Sequence, residues 1–289
     1  MGAMTAEETF FQIFLYPENW DYTLNLIFLL IAVAYLLLTG PFRNRLKGEE
    51  AVPVWKKICF LLGLIVTYFS LGSPLDLLTH ELFSMHMLQM SLMFFVAPPL
   101  LLLGIPAYLL DPVVRLPGVH GLIAFFTRPV ISMFFFNGLM WIYHVPPIFE
   151  AIMSSHAGHN AAHALILFAS LCMWWPIIGP VPGMDRLKPL LKLALIFGNG
   201  VLLTPPCAMI TFTDSILYPT YSQMSHMLPL MSPLHDQQLG GVIMKVVQEI
   251  VYIFAIGLVF VKWIRLEREK DEREQLELEK QGHVLSRQE

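Results

Sequence analysis

The sequence predicts an all-α integral membrane protein built as a bundle of seven transmembrane helices. Of its 289 residues, 56% are hydrophobic and only 14% are charged, whereas about a quarter of a soluble domain is charged. A helix needs about 20 apolar residues to cross a hydrocarbon core about 30 Å thick. Seven apolar segments, separated by charged loops and Pro/Gly clusters, are therefore predicted as spans: 22–39, 57–72, 82–110, 129–143, 163–178, 190–211 and 239–263.

The segments differ in length and in how proline interrupts them. The third, 82–110, is long and contains Pro98-Pro99, while the fourth, 129–143, is short. A second proline pair, Pro205-Pro206, lies in the sixth segment. We expect kinks or breaks at these pairs unless neighbouring groups satisfy the freed carbonyls, so the prolines shape the bundle.

Basic residues predict the orientation of the bundle. Seventeen of the 18 Lys and Arg residues lie in or beside the loops after the first, third and fifth segments, or in the tail. Since cytoplasmic loops collect Lys and Arg, the N-terminus is expected outside the cell membrane and the C-terminus in the cytoplasm. Residues 1–264 are predicted to form the transmembrane domain. The tail, 265–289, is rich in Glu, Lys, Arg and Gln and is predicted to continue the seventh helix into solvent.

Other sequence features exclude some classes of protein. The N-terminus has no basic n-region and no A-x-A site, so no removable signal peptide is expected. Three scattered cysteines form no CxxC motif and suggest no disulfide. The chain has no Gly-rich phosphate loop and no activated nucleophile, so we expect no enzyme activity and no nucleic-acid partner.

Histidines concentrate on the predicted outer side. Eight of the ten lie there, and the same side has no Lys or Arg except Lys245. Imidazoles without competing cations suit a metal ion. The eight are His80, His86, His144, His156, His159, His163, His226 and His235. His156, His226 and His235 are also explained as ordinary polar residues at the membrane–water interface.

Two pairs have helical spacing. His159 and His163 are four residues apart at the start of the fifth segment, so both rings project from one face. His86 and Met90 form the same kind of pair in the third segment, and an imidazole beside a thioether favours copper, particularly Cu(I). His80 and His144 are further ligand candidates.

Polar residues also occur in the seventh segment. Lys245 and Glu249 are four residues apart and are expected to pair on a face that avoids lipid. Asp236 lies at the mouth of the same helix, where it either caps the helix or belongs to the metal site.

Three stretches carry a family resemblance. They are SPLDLLTHELFSMHMLQMSLMFFVAPPLLLLG at 73–104, WIYHVPPIFEAIMSSHAGHNAAHALILFASLCMWWP at 141–176 and PLHDQQLGGVIMK at 233–245. Together they resemble the Bacillus-type CtaG family of cytochrome c oxidase assembly factors, from about residue 10 to 265. The resemblance implies a seven-helix membrane bundle that helps to form an active haem–copper oxidase. The family's motifs carry over onto His80, His86, His144, His159, His163 and Asp236. Many members have a second histidine where this chain has Met90, a departure that argues against an all-imidazole site and is compatible with a His/Met site.

The sequence therefore predicts a membrane assembly factor that holds copper on the outer face and passes it to cytochrome c oxidase subunits. The expected ligands are His86, His159 and His163, with Met90, His80, His144 and Asp236 behind them. A copper donor protein and the lipid bilayer are the other expected partners. Two alternatives stay open. Paired histidines are typical of axial haem ligands, and a lysine in a seventh helix is typical of retinal proteins. A channel or transporter is disfavoured because no inverted repeat is evident.

Overall fold

The computed structural model describes residues 6–46, 51–181, 183–184, 187–224 and 230–285, which form α-helices joined by short connections. The helices are α1 (Ala6–Leu15), α2 (Tyr22–Thr39), α3 (Val54–Gly72), α4 (Pro74–Glu81), α5 (Phe83–Ser91), α6 (Ala97–Gly104), α7 (Ala107–Val114), α8 (Val119–Phe126), α9 (Pro129–Tyr143), α10 (Pro146–Met153), α11 (His156–Ile178), α12 (Pro189–Phe212), α13 (Pro219–Met224) and α14 (Pro233–Leu285). A π-helical turn, Leu92–Val96, joins α5 to α6. Short 3-10 helices lie at Pro17–Asn19 and Arg43–Leu46.

The predicted all-α membrane bundle is confirmed, with six or seven candidate spans among the described residues. Six helices are long and apolar enough to cross a membrane: α2, α3, the continuous helix Phe83–Gly104, α11, α12 and α14. The predicted fourth segment is a helix with the expected bounds, α9, but its 15 residues make it shorter than a standard span. Helices α7 and α8 provide another candidate span, bent by 111°.

Local chemistry explains where helix ends differ from the prediction. The third segment stops at Gly104 and not at residue 110, because Ile105 precedes Pro106 and takes an extended conformation. The fifth begins at His156 and not at residue 163, because the Ser155 side chain caps it by accepting from the Gly158 N–H. As a result, His159 and His163 both lie within a regular helix.

Helix α14 continues well beyond its apolar stretch. The sequence predicts that the charged tail extends the last span, and α14 runs unbroken from Pro233 to Leu285. Residues 264–277 along its outer part are exposed. The predicted helical extension is therefore confirmed.

Side chains from neighbouring helices satisfy the carbonyls that proline frees. Pro98 has no N–H for the Phe94 carbonyl, and the Ser170 hydroxyl on α11 donates to that oxygen at 2.5 Å. Pro206 likewise frees the Leu202 carbonyl, and the indole N–H of Trp141 on α9 donates to it at 2.7 Å. Both contacts tie proline-containing helices to their neighbours, as the lack of water in a bilayer requires.

Glycines allow the helices to pack closely. A Cβ on Gly104 would lie 2.6 Å from the Lys56 carbonyl and would overlap the Phe60 backbone N–H, so α6 crosses α3 at backbone distance. A Cβ on Gly241 would overlap the Thr211 hydroxyl, so α14 packs tightly along α12. The helix Phe83–Gly104 lies at the centre, with 67% of its apolar stretch buried.

The two ends of the bundle differ in chemistry. Helices α5, α11 and α14 begin at one end, which we call the histidine end because His86, His159 and His163 lie there. Helices α3 and α12 begin at the other, which we call the basic end because Lys56 and Lys192 lie there.

Candidate metal centre

The start of α5 is held by a side chain from another helix. Leu82 occupies the N-cap position and has no side chain that can accept a hydrogen bond. The Asp236 carboxylate on α14 replaces it, accepting from the backbone N–H groups of Phe83 at 2.6 Å and Ser84 at 3.2 Å. The Ser84 hydroxyl donates to the same carboxylate at 2.5 Å. Asp236 therefore holds the start of α5 in place, and with it His86, which follows in the first turn.

Three histidines from two helices converge beside this cap. The rings of His159 and His163, one turn apart on α11, have centroids 4.0 Å apart. The His86 ring on α5 lies 5.7 Å from His159 and 5.6 Å from His163, centroid to centroid. One possible ligand atom from each histidine lies within 4.8 Å of the other two. The structure thus brings together the three histidines that the sequence ranks first.

Tyr143, at the end of α9, belongs to the same cluster. Its hydroxyl lies 3.1 Å from His86 Nε2 and 3.3 Å from His163 Nε2. Because a hydroxyl has one hydrogen, one ring accepts from it and the other donates to it. The sequence prediction missed Tyr143. Its position directly before His144, in the WIYH motif, is the signal that could have identified it.

His144 is oriented like a metal ligand but lies outside the three-histidine group. Its Nδ1 lies 2.6 Å from the Met140 carbonyl, which can only accept, so Nδ1 carries the hydrogen and Nε2 has the lone pair. Metal-binding histidines commonly donate their second ring N–H to a carbonyl in this way. Burial lowers the pKa of the His144 imidazole to about 4, so the ring is neutral near pH 7. Its Nε2 is buried and has no partner among the described residues.

His80 lies beside the cluster, and Met90 lies on α5 with His86. The half-buried His80 ring lies 6.3 Å from that of His159 and 6.2 Å from that of the exposed His156, centroid to centroid. Met90 is fully buried one helical turn beyond His86. The structure does not bring Asp236 into the histidine group, since its carboxylate contacts the start of α5. Of the remaining outer histidines, His235 is exposed and His226 lies outside the described residues.

The described part of the loop between α12 and α14 covers the cluster. The Tyr218 hydroxyl donates to the His144 carbonyl at 2.8 Å, and the Tyr221 hydroxyl donates to the Thr79 carbonyl at 2.9 Å. The loop is anchored to α14 because the Gln237 side chain accepts from the Leu217 N–H at 2.8 Å. Aromatic side chains thereby separate much of the cluster from water.

The available ring nitrogens fit a metal ion. Within the described part of the chain, His86 Nδ1 and His159 Nε2 are buried without a hydrogen-bond partner, a costly arrangement that a ligand would relieve. Bonds of about 2.0–2.1 Å from a metal to three imidazoles place the nitrogens about 3.5 Å apart in a trigonal site. Ligand atoms within 4.8 Å of each other therefore need to approach by at most about 1.3 Å.

The cluster fits a haem poorly. A porphyrin ligated by His86 and His163 would have to lie between their rings, where the Tyr143 hydroxyl contacts both. The retinal alternative also fits poorly, because the ammonium group of Lys245 is already bound to neighbouring side chains and backbone. Lys245 Nζ lies 2.5 Å from Glu249, which confirms the predicted pair, and it donates to the Gly200 carbonyl and the Thr204 hydroxyl. The Glu249 side chain is exposed, so the expectation that both charges face away from lipid holds for Lys245 better than for Glu249.

Comparison with known proteins places this geometry in context. A family model described as cytochrome c oxidase caa3 assembly factor (Caa3_CtaG) matches residues 33–266. An uncharacterized protein of Mycobacterium leprae is 26% identical over 271 residues, which cover 86% of this chain and 39% of that protein. Uncharacterized proteins of Mycobacterium bovis and Mycobacterium tuberculosis are each 27% identical over 268 residues, which cover 84% of this chain and 39% of each of those proteins. The chain thus spans about two fifths of the length of the curated relatives it matches. No solved structure matches the chain.

Proposed function

The chain belongs to the family of cytochrome c oxidase caa3 assembly factors, and on this premise we propose that it binds copper and delivers it to the oxidase. The observation that carries the proposal is the cluster of His86, His159 and His163, with ligand atoms within 4.8 Å of one another. Imidazoles bind a soft or borderline metal ion without a charged carboxylate. The protein acts here as a metal carrier and not as an enzyme.

The chemistry around the cluster favours copper over other metals. Three imidazoles suit copper, zinc, iron and nickel alike, whereas a thioether selects Cu(I). Met90 follows His86 by one turn on α5 and shares its helix face, so its sulfur is the thioether we propose as a further ligand. His144, with its Nδ1–H already held by a carbonyl, is the further imidazole that completes the site during transfer.

A series of imidazoles supplies a route to the outside. His156 is exposed, His80 and His159 are half-buried, and His163 and His86 are buried. Neighbouring rings in this order lie 6.2, 6.3, 4.0 and 5.6 Å apart, so an ion can exchange ligands one at a time. With basic loops in the cytoplasm, the histidine end faces outward, where a copper donor protein and oxidase subunits would dock.

The proposal is tested by the metal content and visible spectrum of the purified chain after reconstitution with Cu(I). We expect close to one copper per chain and no Soret band. If the chain retains zinc in preference to copper, then zinc, and not copper, is the metal it carries. No bound metal would contradict copper carriage, and a Soret band would favour the haem alternative.

Replacing Tyr143 with phenylalanine tests whether its hydroxyl orients the ligands. The change removes one oxygen that contacts both His86 and His163, and such supporting partners are typically worth about 10–100-fold in metal affinity. We expect one copper per chain at saturation but affinity lower by that factor, measured by competition with a Cu(I) chelator. Tyr68→Phe, a tyrosine on α3 outside the cluster, is the matched control and is expected to leave affinity unchanged. Equal affinity in Tyr143→Phe and wild type would exclude the orienting role.

A further inference from the structure

A second site lies at the basic end of the bundle, opposite the histidines. A cavity of about 710 Å³ opens there among α3, α6, α11, α12 and α14. Its size is that of pockets that hold small molecules, about 300–1,000 Å³. The wall is mainly apolar and includes Pro99, Leu103, Trp174, Ile177, Leu258 and Val259. A lipid-soluble body therefore matches its interior.

Lysines supply the only formal charge along the cavity wall in the described part of the chain. Lys56 lies at the start of α3, Lys192 in the first turn of α12 and Lys262 near the end of the bilayer part of α14. No Asp or Glu of the described residues lines the cavity. Basic pockets between transmembrane helices at the cytoplasmic side attract anionic lipid head groups. Charge complementarity therefore selects an anionic occupant.

Trp174 adds a polar group to this apolar wall. The side chain is 1% exposed and lines the cavity, and its indole N–H has no acceptor among the described residues. A buried N–H without a partner costs about 1–3 kcal/mol. A ligand that brings an acceptor oxygen, such as an ester carbonyl, would satisfy it.

The wall also excludes a metalloporphyrin. Among the described residues it contains no His, Met, Cys or Tyr, the side chains that ligate haem iron. A neutral isoprenoid would fill the apolar space but would bring no negative charge to Lys56 and Lys262.

We propose that the cavity binds one anionic phospholipid of the cytoplasmic leaflet. Its acyl chains fill the apolar space, its ester oxygens face Trp174, and its phosphate lies between Lys56 and Lys262. The site shares no residue with the histidine cluster, so it stands or falls independently of copper binding.

The test is a titration of the purified full chain with phosphatidylglycerol or phosphatidylcholine, followed by native mass spectrometry. We expect phosphatidylglycerol to bind more tightly than phosphatidylcholine. Lys56→Ala/Lys262→Ala should weaken phosphatidylglycerol binding about thirtyfold, at the strength typical of two lysines near an anionic head group. Binding of phosphatidylcholine should stay the same in that variant.

A matched variant and a filled cavity complete the design. Lys270→Ala/Arg273→Ala removes two exposed charges from α14 beyond the cavity and should leave lipid binding unchanged. Ala255→Trp places a bulky ring in the cavity and should weaken binding of both lipids. Equal affinity for the two lipids, the same loss in the tail variant, or displacement by inorganic phosphate alone would overturn the proposal.

Discussion

Replacing both His159 and His163 with alanine is expected to abolish stoichiometric copper binding. The double change removes two of the three imidazoles of the group and leaves only His86 there, too few ligands for a stoichiometric site. The loss in affinity should exceed the roughly 100-fold that removal of a supporting residue causes. Copper per chain, measured after reconstitution with Cu(I) and gel filtration, should fall from near one to background.

The control removes two imidazoles from elsewhere. His120 on α8 and His235 on α14 are both exposed and lie outside the three-histidine group. His120→Ala/His235→Ala should therefore retain one copper per chain. Retention of copper by the His159→Ala/His163→Ala variant, in a chain that elutes as the wild type does, would refute the ligand assignment.

Replacing Asp236 with alanine is expected to lower the free energy of unfolding by about 3–5 kcal/mol. Two backbone N–H groups and one hydroxyl at the start of α5 lose their acceptor, at about 1–3 kcal/mol each, and entering water recovers part of that loss. The negative charge of the Asp236 carboxylate also interacts favourably with the positive end of the α5 helix dipole. Unfolding in detergent measures the change.

Two further variants separate the capping role from a ligand role. Asp214 is an exposed acid at the same end of the bundle, and Asp214→Ala should change stability by less than about 0.5 kcal/mol. Asp236→Asn keeps one acceptor oxygen and should be intermediate. If Asp236 binds metal and does not cap α5, both Asp236 variants lose copper while their unfolding free energy stays at the wild-type value.

Local sequence signals predicted much of the bundle. The bounds 22–39 and 129–143 agree with α2 and α9, because unbroken apolar runs and flanking Pro and Asp mark these helices. Two predicted helix ends, at residues 110 and 163, are wrong. At the first, apolar residues continue past the residue where the helix stops; at the second, they begin only after the residue where the helix starts. Ile105-Pro106 and Ser155 supply those signals, and hydropathy alone ignores them.

The histidine cluster was predictable only in part, namely where it depends on spacing within one helix. His159 and His163 share a helix face by their spacing, which follows from the 3.6-residue turn. That His86 faces them is a contact between helices 73 residues apart in the chain, and no local pattern encodes it. The role of Tyr143 depends on three helices meeting, so it becomes visible only when α5, α9 and α11 are packed.

By itself, the sequence determined the all-α membrane class, most of the spans, the predicted orientation and the pairing of His159 with His163 and of Lys245 with Glu249. These depend on composition and on spacing within one helix, which the chain encodes locally. The tertiary structure alone decided that Asp236 contacts the start of α5, that three histidines converge and that a cavity lies beside Lys56 and Lys262. Those features arise between helices, where packing and the need to satisfy every buried polar group select one arrangement from many that the pattern allows.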